Sequence, residues 1–258
     1  MNMIGVQGYT IREHMSTKES FSEALSKIRK IGYTCLDHGV PREMTAAEYM
    51  EMLTFHDIKP LKAASDVYAI LENPKTVVEE AHILGVDIIT VISIPKKMRG
   101  NENDYHKYAE DLNRAGGILK KEGLRIAYHN HAFEFCSFGG YTGIDIIINE
   151  TDDNVEFVPD THWVAAAGVN PSDFIRKLIG RCTQIHFKDY AIDFGTEVLE
   201  SVPRLFAEVG CGNLNWPDIV RACRETGIRI FIVEQDKCKI DAFTSLEISY
   251  KAIKSLGL

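Results

Sequence analysis

At 258 residues, with 45% hydrophobic and 26% charged residues, the chain has the balance of an ordered globular protein and leaves little room for extended disorder. A formal net charge of −8 argues against a surface built to neutralise phosphates, so no nucleic-acid partner is expected. Apolar runs such as Ile88 to Ile94 fall well short of the ~20 residues of a membrane helix, so no membrane span is expected.

Short β-branched runs alternate with longer amphipathic stretches from one end to the other, the rhythm of repeated βα units around a parallel sheet. In chain order the predicted strands are 3–8, 33–37, 59–64, 87–92, 125–129, 155–160, 184–186 with its flanks, and 229–234. The stretch from Ser20 to Ile31 places Phe21, Ala24, Leu25, Ile28 and Ile31 on one helical stripe, opposite Glu23, Lys27 and Lys30. Asp104 to Glu122 reads as a long helix closed by Gly123, and Gly32, Gly85 and Gly227 likewise stand between a helix and a strand. Asn215-Trp216-Pro217 reads as an Asn cap with proline in the first turn. Eight such units without a Pro/Ser-rich linker predict one α/β domain over residues 1–258, a single (β/α)8 TIM barrel.

Met1 to Thr10 shows no basic stretch followed by an apolar run and a small-residue cleavage site, so a cytoplasmic location is expected. The six cysteines are scattered without a CxxC pair and are expected to be reduced thiols.

In such a barrel the chemistry stands at the C-terminal strand ends. Strand five ends in Tyr128-His129-Asn130-His131, with Phe133-Glu134-Phe135 close behind. Strand six ends in Asp160, strand seven in His186-Phe187-Lys188-Asp189, and strand eight in Glu234-Gln235-Asp236. A lone strand-end Asp or His is ordinarily a cap or a satisfied hydrogen-bond partner. Acids or imidazoles at the ends of four consecutive strands instead point to a shared metal site.

The segments IAYHNHAFEF, VPDTHWVAAAGVNP, QIHFKDY, EVGCGNLNW and FIVEQD resemble signatures of the sugar phosphate isomerase/epimerase superfamily, with its xylose isomerase-like barrel. They are most similar to the branch of inosose dehydratases and 3-keto-sugar epimerases or eliminases. The second half of the chain carries the likeness, and the first half agrees in its βα rhythm. The resemblance implies one divalent ion, manganese in first place with cobalt, zinc or magnesium as alternatives, held by a strand-five acid, an Asp, a His and a Glu. Asp160, His186 and Glu234 match directly. Strand five departs from the pattern, because His129 stands where many relatives carry a ligand Glu. Glu134 is the expected fourth ligand, giving an oxygen-rich set; His129 binding the ion, with Glu134 left for substrate hydroxyls, is the alternative.

The expected reaction is isomerisation, epimerisation or elimination on a ketose, inosose or 3-keto-sugar, begun by proton abstraction beside a metal-bound carbonyl. His131, His129 and Glu234 are the proton-moving candidates. Lys188 is expected on an oxyanion or substrate hydroxyl, or else in a salt bridge with Asp189 or Asp160. Trp163 is a wall for the ring or a packing residue, and Asn130 is a further substrate contact. Tyr9, Asp37 and His38 are weaker pocket candidates. Gly139-Gly140, Glu13-His14, His56, His106 and the run Lys96, Lys97, Arg99 read as turn, surface or loop residues. A trinuclear endonuclease IV-like nuclease and a non-catalytic sugar-binding barrel are the competing readings. The resemblance also implies a possible homo-oligomer or accessory subunit.

Overall fold

The computed structural model describes residues 2–192, 195 and 204–258. Strands β1 (Met3–Gln7), β2 (Cys35–Asp37), β3 (Lys59–Pro60), β4 (Ala63–Ser65), β5 (Ile88–Val91), β6 (Arg125–His129), β7 (Val155–Val158), β8 (Gln184–Phe187) and β11 (Ile230–Val233) build the barrel. They pair in two runs, β3-β2-β1-β11-β8 and β4-β5-β6-β7, and every pairing within them is parallel. β3 and β4 are consecutive pieces of the predicted third strand, interrupted after Pro60, which has no N–H for the ladder. At the other seam a parallel bridge joins Asp160 to His186, and the His186 N–H donates to the Pro159 carbonyl at 2.9 Å. The eight predicted strands therefore form the TIM barrel that the βα rhythm implies.

An antiparallel pair that the sequence reading did not foresee, β9 (Asp189–Ile192) with β10 (Arg204–Ala207), follows β8. Helix α1 (Lys18–Ile31) is closed at its start by reciprocal Thr17 and Ser20 hydrogen bonds and buries Phe21, Ala24, Leu25 and Ile28. The helix Glu102–Lys121 is capped by Asn101, and the helix Trp216–Thr226 runs from the predicted Asn215 cap to Gly227, whose φ of 79° ends it. Among the described residues no helix is long and apolar enough to cross a membrane.

Strand alternation then explains where the site lies. Ile4 and Val6 face the helices in the main core, so Gly5 and Gln7 face inward. Gly5 pairs with Cys35 and Ile232, and Cys35, Leu61 and Ile232 pack together inside the ring. Ile88, Ala127 and Val158 form a matching inner cluster. Two residues further along, the inward positions turn polar: Asp37 after Cys35, His129 after Ala127, Asp160 after Val158, Glu234 after Ile232, and His186 on β8 with Lys188 just past its end.

Candidate metal centre

His129, Asp160, His186 and Glu234 are buried, and one ligand atom from each lies within 4.8 Å of the others. His186 Nδ1 is 2.6 Å from Glu234 Oε2, and its Nε2 is 2.9 Å from Asp37 Oδ2. His129 Nδ1 is 3.2 Å from the Val158 carbonyl. A carbonyl only accepts, so that contact puts the ring proton on Nδ1 and leaves Nε2 with a free lone pair. Asp160 caps the helix Thr161–Ala166 through Oδ1, 2.9 Å from the Trp163 N–H, while its buried Oδ2 has no hydrogen-bond partner among the described residues.

The electrostatics are those of a crowded buried site. Burial lifts the Asp160 carboxyl to about 7, with Lys188 opposing and Glu234 adding to the rise. Burial also works against charge on Glu234, but Lys188 and His186 outweigh it and hold that carboxyl well below the usual range. His186 is raised to about 9, because hydrogen bonds to Asp37 and Glu234 overcome the burial that would lower it. Burial, together with the neighbouring His186 and His131, drives His129 well below the ordinary histidine value. A neutral imidazole with its lone pair inward, an orphaned carboxylate oxygen and further carboxylate charge fit a divalent cation.

Glu134 lies outside this group, which corrects the expected ligand set. Its Oε1 accepts from the Tyr128 hydroxyl at 2.5 Å and its Oε2 from the His131 N–H at 2.8 Å. Tyr128 precedes His129 on β6 and therefore faces the helices, so a carboxylate bound to it sits outside the inner wall of the ring. Burial raises Glu134 to about 7 despite these two donors. Asn130 is also spent on structure: Oδ1 accepts from the Asp160 N–H at 3.1 Å, and Nδ2 donates to the His131 carbonyl. Alternation turns it away from the interior, and it does not line the cavity.

A cavity of about 380 Å³ opens over the group, lined in part by Gln7, Lys62, His131, Trp163, Lys188 and Asp236. Among the described residues, His131 Nδ1 and Trp163 Nε1 are buried without hydrogen-bond partners. Burial depresses His131 to about 4. Lys188 Nζ lies 2.6 Å from Asp236, 3.2 Å from Glu234 and 3.8 Å from Asp160, and sits 4.8 Å from the Trp163 ring centroid. Burial disfavours its charge, yet these carboxylates raise it above the normal lysine value. Of the weaker candidates, Tyr9 stands exposed at the rim and Asp37 lies behind His186, whereas His38 contacts the Gly39 carbonyl instead of the cavity. Arg99 is held over the Phe133 ring and donates to the Ile94 carbonyl. Asp189 does not pair with Lys188; it accepts from the backbone N–H groups of Tyr190, Gly210, Gly212 and Leu214 and from the Trp216 indole.

The model of the xylose isomerase-like TIM barrel family matches residues 62–255. The chain belongs to that family. Within it, the chain is 25% identical to an inosose dehydratase of Lacticaseibacillus casei over 276 aligned positions, covering 92% of this chain and 89% of that enzyme. Among solved structures, a sugar phosphate isomerase/epimerase from Parabacteroides distasonis superimposes with a TM-score of 0.79 at 22% identity, over 98% of this chain and 94% of the other. The IolI protein with a bound zinc atom superimposes with a TM-score of 0.73 at 18% identity, over 99% and 98%. These likenesses in structure speak for the barrel, and the family match for membership of the xylose isomerase-like TIM barrels.

Lys62 and Asp236 were absent from the sequence-level site. Asp236 follows Glu234 by two positions and its strand-end signal was readable. Lys62 was not, because the break after Pro60 cancels the alternation that would have assigned it a side.

Proposed function

We propose that the protein is a divalent-cation-dependent lyase or isomerase acting on a small keto-polyol, with an inosose-type ring as the favoured substrate and dehydration as the favoured outcome. The observation that carries this reading is the buried convergence of His129, Asp160, His186 and Glu234 beneath a cavity bearing a neutral histidine and a protonated lysine. The aligned inosose dehydratase supports the substrate class.

His129, Asp160, His186 and Glu234 would hold the ion. With His129 in place of Glu134 the donor set is mixed nitrogen and oxygen, which suits zinc or cobalt at least as well as manganese. Such an ion, when bound, polarises a substrate carbonyl and stabilises the enediolate formed beside it.

The remaining work falls to the chain's own side chains. His131, neutral above about pH 4 and with Nδ1 unpartnered among the described residues, takes the proton from the carbon next to the carbonyl. Lys188 stays protonated and donates to a substrate oxygen, as Trp163 does through its indole N–H. The electron pair left on carbon then expels a β-hydroxyl, which leaves as water with a proton returned by His131; return of the proton to carbon instead gives isomerisation or epimerisation. Nuclease chemistry on three ions has less support, since a single ligand group is found among the described residues.

Solvent deuterium uptake into inososes, ketoses and 3-keto-sugars, measured with added zinc, cobalt or manganese, tests this. Exchange is expected in the parent, lost with the ion in Asp160→Ala and Glu234→Ala, and lost with the ion retained in His131→Ala. Full turnover by Glu234→Ala protein stripped of metal would end the reading.

A further inference from the structure

Asp37 ends β2 on the inward face of the barrel, 149 residues from His186, and both side chains are buried. Its Oδ2 lies 2.9 Å from His186 Nε2, on the side of the imidazole opposite Glu234, which is 2.6 Å from Nδ1. Asp37 is in turn gripped by Lys62, whose Nζ is 2.9 Å from Oδ1 and 3.0 Å from Oδ2. Lys62 is itself buried, just beyond the Pro60 break in the third strand.

We propose that Asp37 and Lys62 form a positioning pair for the metal centre, Asp37 fixing the ring of His186 with Nδ1 toward the ligand group and Lys62 fixing Asp37. The proposal rests on the reading of the four-residue group as a cation site. A carboxylate only accepts, so Asp37 calls for the imidazole proton on Nε2 and leaves the Nδ1 lone pair for the ion. Without it the ring is free to turn about its Cβ–Cγ bond, and the ligand loses both its orientation and the added basicity that a carboxylate behind the ring provides. Lys62 is needed because a lone buried carboxylate at this position is costly and would swing toward the nearest other cation. The closure of the ring gives the arrangement its logic: β2 and β8 are not neighbours in the sheet, so the contact spans the barrel interior, where only side chains meet.

The test is cobalt and zinc binding by the whole chain, using competition with a chromophoric chelator for affinity and the visible bands of the cobalt-loaded protein for ligand geometry. Asp37→Leu is expected to weaken binding by about 10–100-fold and to shift the cobalt bands. Asp37→Asn, whose side-chain oxygen still accepts from Nε2, recovers part of the affinity and the parent spectrum. Lys62→Met moves both readouts in the direction of Asp37→Leu and carries the test alone if the leucine variant does not fold. A parent protein that binds neither ion overturns the metal centre and this pair together. A parent that binds, beside folded Asp37→Leu or Lys62→Met variants with unchanged affinity and spectrum, overturns the pair alone.

Discussion

Asp160 and His186 face each other across the parallel bridge that joins the two runs of strands. Ring closure and the ligand group therefore share residues, but the bridge is made by backbone and the group by side chains, so the two can be separated by substitution. Asp160→Asn retains an oxygen to cap the helix Thr161–Ala166 while removing a carboxyl that burial holds at about 7. A carboxyl raised in the folded state weighs against folding once it ionises. Its removal is therefore neutral near pH 4, gains through pH 4 to 7, and gives on the order of 1–4 kcal/mol above that. Urea unfolding of metal-free protein at pH 4 and pH 8 should show Asp160→Asn level with the parent at the lower pH and ahead of it at the higher, while zinc no longer raises its melting temperature. A variant less stable than the parent at pH 8 would contradict this account.

Glu134 gives a second pH signature of the same sign but with no consequence for the ion. Its carboxyl is buried against Tyr128 and the His131 N–H and rises from 4.5 to about 7. Folding costs more as pH climbs through that window, so the stability of Glu134→Gln relative to the parent should improve by roughly 3 kcal/mol between pH 4.5 and pH 7. Metal affinity should stay within about twofold, the scatter expected of a residue outside the ligand set. His129→Ala, by contrast, should empty the site. If Glu134→Gln empties it and His129→Ala does not, the two residues have exchanged roles.

The barrel was legible because eight strand runs and their intervening helical stripes follow periods of 2 and 3.6, and the helix caps at Asn215 and Gly227 confirm the unit ends. Asp160, His186 and Glu234 were legible because each ends an apolar strand. What failed was side, not position. Asn130 and Glu134 lie within five residues of His129, yet alternation and the turn at Phe133–Phe135 carry them to the outer side of the wall. Asp37 was named only as a weak candidate, since nothing local to it announces a partner 149 residues away. The segment EVGCGNLNW, one of those that carry the family resemblance, forms a loop wrapped around the Asp189 carboxylate.

That loop supplies its own test. A Cβ on Gly212 would come within 2.4 Å of Asp189 Oδ1 and closer still to the Tyr190 carbonyl oxygen, and neither is a flexible chain end with room to retreat. Gly212→Ala should therefore destabilise the protein by about 2–4 kcal/mol through displacement of the carboxylate from its N–H donors. Thermal unfolding would register this as a large drop, with cobalt spectra of the folded fraction unchanged because the loop's N–H groups hold Asp189, which is outside the four candidate ligands. An altered cobalt spectrum would tie the loop to the centre.

Lys188 is the buried cation that balances the ligand group when no ion is bound, with Asp236, Glu234 and Asp160 all within 3.8 Å of its Nζ. Its pKa is raised in the folded state, so the associated stability is complete below the ordinary lysine range and no change is expected between pH 6 and 9. Lys188→Met keeps the length of the side chain and leaves the carboxylates uncompensated, a loss of about 3–5 kcal/mol in metal-free protein. A divalent ion brings back more charge than the ammonium took away. Saturating zinc should therefore raise the melting temperature of Lys188→Met by roughly 10 °C more than it raises the parent's. Calorimetry with and without zinc checks the difference, and equal increments in the two proteins would show that the lysine and the ion do not neutralise the same carboxylates.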